Sequence, residues 1–156
     1  MGKTKVKTLV LGLGNPILSD DGVGPAIARE LENKTDPQVV AVTEASLGGL
    51  NLLDLLVGYD RVIIIDAIKT AGGRPGQIYR LDPEALTTTR YAASPHDVNL
   101  VTALELGKKL GMAMPQKIDI FAIEVSDTVN FCEECTPAVA AAIPACVAMV
   151  LRELKG

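Results

Sequence analysis

The chain has 156 residues, enough to bury one ordinary hydrophobic core, and 48% of them are hydrophobic against 22% charged. That balance excludes a disordered chain, and a formal charge of −4 with an isoelectric point near 5.0 excludes the basic footprint of nucleic-acid or anionic-membrane binding. Aromatic residues make up only 3% and Trp is absent, so the core must be built from Val, Ile, Leu and Ala, which suits a parallel sheet covered on both faces. No apolar run approaches the roughly 18 residues of a membrane span, and M-G-K-T-K-V-K opens no signal-peptide pattern. The three cysteines, Cys132, Cys135 and Cys146, make no disulfide framework and fit a reducing compartment. A cytoplasmic protein with one domain over residues 1–156 is expected.

Thr8 to Leu13 is a short apolar run ended by glycine, the pattern of a strand buried on both faces. A helix is expected from about Gly24, with Pro25 in its first turn and Val23, Ile27 and Leu31 on its inner face. Val39 to Thr43 reads as the second strand and Leu50 to Val57 as a helix with Leu52, Leu53 and Leu56 inward. Val62 to Ile65 is the strongest strand of the chain and is expected to end on Asp66. After the Gly- and Pro-rich loop 70–76, Gln77 to Leu81 alternates polar and apolar residues, as an exposed edge strand does. Ser94, Pro95, His96 and Asp97 read as a capped helix start, with Leu100, Val101 and Leu104 inward and a stop near Gly111. Ile118 to Ile123 is a further strand. From Pro137 a long helix carries Val139, Ile143, Val147, Val150, Leu151 and Leu154 on one stripe, and Pro144 should kink or divide it. The fold class is α/β: a three-layer sandwich in which a twisted, mostly parallel five-stranded sheet with one antiparallel edge strand has helices on both faces.

In such a sheet, ligands bind outside the carboxyl ends of the strands. Asp21 follows the first strand, Asp66 closes the third, and His96, the sole histidine, opens the helix after the edge strand. Two carboxylates and one imidazole can hold a divalent transition metal and leave positions open. The helix macrodipole disfavours an imidazolium at His96, which keeps the ring able to coordinate. Each residue also has a plain structural reading. Asp20 or Asp21 would cap the first helix, Asp66 would accept N–H groups of the next loop, and His96 would be a structural histidine. Of the acidic pair, Asp20 suits capping and support, and Asp21 the metal.

Other motifs carry less. The glycines at 12 and 14 fail the dinucleotide fingerprint because Ile17 stands where the third glycine belongs. Cys132 and Cys135 form a lone C-x-x-C without a second pair to complete a zinc site, and Glu133 and Glu134 between them oppose thiolate formation, so they read as structural or incidental. Glu124 ends the fifth strand; lining the same crevice is one reading, and a solvated surface carboxylate is the preferred one.

Three segments, G-L-G-N-P-I-L-S-D-D-G-V-G-P at 12–25, I-I-I-D-A-I at 63–68 and S-P-H-D at 94–97, together resemble the maturation endopeptidases of nickel–iron hydrogenases. The order and spacing of elements are similar over nearly the whole chain, including T-P at 136–137 before the long helix. The resemblance implies a protease that removes a short C-terminal peptide from the precursor of a hydrogenase large subunit once nickel is installed. It also implies Asp21, Asp66 and His96 as the metal-contacting, catalytic set. The implied cofactor is nickel presented by the precursor, though another divalent metal can occupy the site in isolation. The implied partner is that precursor, with no nucleic acid and no membrane, and a monomer is expected. Cys132 and Cys135 are not part of the family pattern. The rival readings are a nickel-binding metallochaperone or sensor on the same fold, and a nucleotide-binding domain.

Overall fold

The computed structural model describes residues 7–46, 50–83 and 103–155. The expected helix start at Ser94–Asp97, and with it His96, lies outside them, as do Leu100 and Val101. Strand β1 (Thr8–Leu13) leads through a 3₁₀ turn (Ser19–Gly22) into helix α1 (Val23–Glu32). Then come β2 (Val40–Ala45), α2 (Leu50–Leu56), β3 (Arg61–Ile68) and β4 (Ile78–Leu81). A helical segment at 103–109, here α3, precedes β5 (Lys117–Glu124) and the last helix, α4 (Pro137–Lys155).

The strands lie in the order β2-β1-β3-β5-β4, all parallel except β4, which runs antiparallel along the edge of β5. Both faces of this sheet are covered, which is why its strands read as continuous apolar runs. Alternation along each strand splits the core in two. Val10, Ile63, Ile65, Phe121 and Ile123 pack with α1 and α4 through Ile27, Leu31, Val139 and Val147. Leu9, Leu11, Val62, Ile64 and Ile120 pack with α2 and α3 through Leu52, Leu56 and Ala103. The sheet and its two helical layers form the expected α/β sandwich.

Close approach of α1 to the sheet depends on glycine. A Cβ on Gly24 would stand 2.5 Å from the carbonyl oxygens of both Leu13 and Ile65, and one on Gly12 would stand 2.5 Å from that of Gly24. The glycines at 12 and 24 therefore let α1 settle on β1 and β3, and they set the height at which the turn before α1 meets the sheet.

Three expectations need correction. First, β3 does not end on Asp66. Ala67 and Ile68 stay in register with Ile123 and Glu124 of β5, and the N–H of Val125 donates to the carbonyl of Ile68 at 3.1 Å. Second, Pro144 does not divide α4, which runs unbroken over 19 residues. Pro144 lies on the solvent side, while Val139, Ala142, Cys146, Val147 and Val150 are buried and hold both halves to the sheet. Third, α4 is by length and composition apolar enough to cross a membrane. Its buried stripe belongs to the core over α1 and the sheet.

Candidate active site at the carboxyl edge of the sheet

The strand order creates one place where the chain departs in opposite directions. From β1 it passes through α1 to β2 on one side, and from β2 through α2 to β3 on the other, so the crevice between the carboxyl ends of β1 and β3 is the topological switch point. Asp21 sits in the turn after β1. Asp66 sits on β3 one residue beyond the last pairing with β1, Gly12 with Ile65. On its β1 side Asp66 therefore lies level with Leu13, the last residue of β1, where the pairing of the two strands has stopped. The turn containing Asp21 packs against β3. The structure brings these two sequence-expected residues to one crevice; His96 lies outside the described residues.

The two adjacent aspartates have different surroundings. Asp20 is fully buried. Its Oδ1 accepts the Thr136 N–H at 2.7 Å, and its Oδ2 accepts the N–H groups of Ser126 and Asp127 at 2.9 and 3.0 Å. The Thr136 hydroxyl lies 3.0 and 2.8 Å from the two oxygens. Asp20 thus ties the 3₁₀ turn to the loop after β5 and to the start of α4. Asp21 is only half-buried, and among the described residues its carboxylate accepts one bond, at Oδ2 from the Asn15 N–H at 2.8 Å. Neither carboxylate caps α1, whose first position is flanked by Gly22 with no side-chain cap.

Backbone geometry marks the same segment. Ser19 has φ +49°, the one non-glycine residue in the left-handed region among those described, and Gly14 has φ +145°. A side chain on Gly14 would run into the carbonyl oxygen of Asp21, so the turn closes on itself only because residue 14 has none. The Ser19 N–H donates to the Cys132 carbonyl at 2.8 Å, locking the strained residue against the loop after β5.

Asp66 is buried, and its Oδ1 accepts the N–H of Ala67 at 2.8 Å. Alternation places it on the same face as Val62 and Ile64, the α2 and α3 side. Glu124 is a second buried carboxylate, which corrects the expectation of a solvated one. The signal was present in β5: Ile118, Ile120, Ala122 and Glu124 alternate onto one face, so the glutamate continues an inward row. Thr136, the partner of Asp20, carries no sequence signal for that role beyond its place before Pro137.

Cys132 is exposed and Cys135 half-buried, both as free thiols. The Glu134 N–H donates to Cys132 Sγ at 3.4 Å. Burial, aided by Asp20 and by Cys132, pushes the Cys135 thiol up to about 11, which opposes thiolate chemistry at neutral pH. Large apolar side chains stand out on the loops around this end: Ile17, Val129 and Phe131 are exposed, Phe131 by 83%. Among the described residues no three His, Cys, Asp or Glu side chains come together as a ready-made metal set.

The sequence profile described as hydrogenase maturation protease matches residues 25–153. The chain belongs to that family. The matched span contains Asp66 and His96, and Asp21 stands just before it. The hydrogenase 2 maturation protease of Escherichia coli is 30% identical over 154 residues, covering 96% of this chain and 92% of that protein. A putative hydrogenase maturation protease of Methanocaldococcus jannaschii is 33% identical over 104 residues, 65% of this chain and 67% of its own length. The solved hydrogenase-maturating endopeptidase HybD of E. coli superposes with a TM-score of 0.81 at 28% identity, covering 96% of this chain and 92% of that one. The hydrogenase maturation protease family thus supplies the enzyme class, a hydrolase of peptide bonds, and the sandwich fold.

Proposed function

We propose that this hydrogenase maturation protease removes a short C-terminal peptide from the nickel-loaded precursor of a nickel–iron hydrogenase large subunit, and that the precursor's nickel is what it recognises. The observation that carries the reading is the meeting of Asp21 and Asp66 at the switch point between β1 and β3. One of these carboxylates is half-buried and accepts one N–H among the described residues, and the other is buried two residues before the end of an apolar strand. Both are hard oxygen donors, and His96 would add the nitrogen donor that nickel favours. Nickel held there would supply Lewis acidity to the cleavage.

The chain's own residues do the rest. Asp20 holds the turn that carries Asp21, and the β3–β5 pairing holds Asp66 beyond the last pairing of β3 with β1. Part of the coordination sphere belongs to the precursor, so docking depends on metal loading. The exposed Ile17, Val129 and Phe131 give the same end of the molecule an apolar rim that suits a protein substrate.

The test is mass analysis of a candidate precursor incubated with this protein, with and without nickel. Wild type should shorten only the nickel-loaded precursor, and Asp21→Ala, Asp66→Ala and His96→Ala should each lose at least about 100-fold in rate. Full activity in all three variants would end the proposal.

A further inference from the structure

The chemistry above leaves one buried carboxylate at the crevice without a part, Glu124. We infer that Glu124 is a positioning residue: through Thr70 and Tyr79 it pins the loop after β3 and so fixes the wall of the crevice beside Asp66. Register puts these groups together. Across three strands, Asp66 lies opposite Ala122, and Ala122 opposite Tyr79, with Glu124 one pleat further on and opposite Ile68. Alternation therefore turns Asp66, Glu124 and Tyr79 to the same face of the sheet.

The Glu124 carboxylate receives three donors. Its Oε2 accepts the Thr70 N–H at 2.9 Å, and its Oε1 accepts the hydroxyls of Thr70 and Tyr79 at 2.6 and 2.9 Å. Its backbone joins the same loop, with the Gly76 N–H donating to the Glu124 carbonyl and the Glu124 N–H to the Gln77 carbonyl, both at 2.8 Å. Gly73 lies so close that a Cβ there would collide with the carboxylate. The loop spanning 69–77, which begins three residues after Asp66, is thus folded around this one side chain. Among the described residues no Lys or Arg pairs with Glu124, and both of its oxygens are engaged by donors from the loop and β4, so it acts by geometry and not as a further ligand.

That distinction is testable, because glutamine can keep the geometry without the charge. In Glu124→Gln the amide oxygen would accept the Thr70 N–H, and the amide nitrogen would donate to the two hydroxyls. The single Tyr79 hydroxyl proton, given to Glu124 in the wild type, would turn to Gln77 Oε1, which is 3.1 Å away. Glu124→Ala removes the anchor, and Gly73→Ala displaces it with the charge retained. Cleavage of the nickel-loaded precursor, which rests on the protease reading, should show kcat within about threefold of wild type for Glu124→Gln. For the other two variants kcat should be lower by about 10-fold or more, with KM nearly unchanged. Amide hydrogen exchange at Thr70 reads the same contact without any substrate: it should stay slow in Glu124→Gln and become fast in Glu124→Ala and Gly73→Ala.

Glu124→Gln falling as far as Glu124→Ala would mean that the charge itself works, and wild-type kcat in Glu124→Ala would mean that the anchor has no bearing on the crevice. Either overturns the inference. If wild type cleaves no precursor, the protease reading fails instead, and slow Thr70 exchange in Glu124→Ala would still overturn the positioning role.

Discussion

Asp20 and Asp21 are chemically identical neighbours that the fold assigns to opposite tasks. Asp20 is fully buried and answers three backbone N–H groups and a hydroxyl, whereas half-buried Asp21 accepts one N–H among the described residues. Removing the fully buried Asp20 carboxylate leaves the N–H groups of Ser126, Asp127 and Thr136 without their acceptor. Asp20→Ala should therefore cost about 3 kcal/mol of stability or more, read from urea unfolding. Asp21→Ala strands one described donor, the Asn15 N–H, at a half-buried carboxylate, and should cost less than about 1 kcal/mol while abolishing cleavage. Equal losses of stability in the two variants would contradict this division. The acidic pair was visible in the sequence as a unit, and so was the preference for Asp20 as the supporting member. Its partners were not: Thr136 lies 116 residues away, and no local pattern links the two.

At the scale of elements, the site depends on how far α1 sinks into the sheet. The turn bearing both aspartates is the leading end of α1, and its height above β1 and β3 is set where Gly24 meets the carbonyls of Leu13 and Ile65. Gly24→Ala puts a methyl group into two backbone oxygens that cannot turn aside. We expect a loss of about 3 kcal/mol from overpacking, and a fall in cleavage measured at a temperature where the variant remains folded. Wild-type stability and activity in Gly24→Ala would show that α1 can lift without consequence. The glycines at 12 and 24 are plain in the sequence, but the backbone surfaces they approach are not. The same holds for β3: its apolar run was plain, but the sequence could not reveal that pairing with β5 carries it two residues past Asp66. In α4 the local rule was outweighed, because a buried stripe along both halves holds the helix together across Pro144.

Over the whole molecule, the amino end of the sheet is closed by ions and the carboxyl end is left for chemistry. Glu153 near the end of α4 meets Arg61 and Arg80 at 2.6 Å each, Lys117 at 3.8 Å completes the cluster, and Asp119 lies near both arginines. This ties α4 to β3, β4 and β5 at the end opposite Asp21 and Asp66. The hydrogen bond from Arg80, followed by the charges of Arg80, Arg61 and Lys117, holds the Glu153 carboxyl below its ordinary value of 4.5. A carboxylate with a depressed folded-state pKa contributes stability above its unfolded value, and that contribution is lost as pH falls through the lower folded value. Thermal melts from pH 7 down to pH 3 should therefore show wild type losing stability below about pH 4.5 more steeply than Glu153→Gln. The variant should be the less stable of the two at pH 7, by a modest margin because the cluster is partly solvated. Parallel acid limbs would rule out Glu153 as a source of the acid dependence.

Taken by itself, the sequence determined what repeats over short distances. Strands appeared as apolar runs and the helices as stripes four apart, and their order dictated a mostly parallel sheet with one exposed antiparallel edge. It also brought Asp21 and Asp66 to the carboxyl side, because each follows or extends a strand and parallel strands share that side. Only the tertiary structure decided what depends on partners remote in the chain. It buried Glu124 under Thr70 and Tyr79, bound Asp20 to Thr136, and carried β3 beyond Asp66. Periodicity is a property of neighbouring residues, whereas the burial of a carboxylate depends on which donors the fold brings to it.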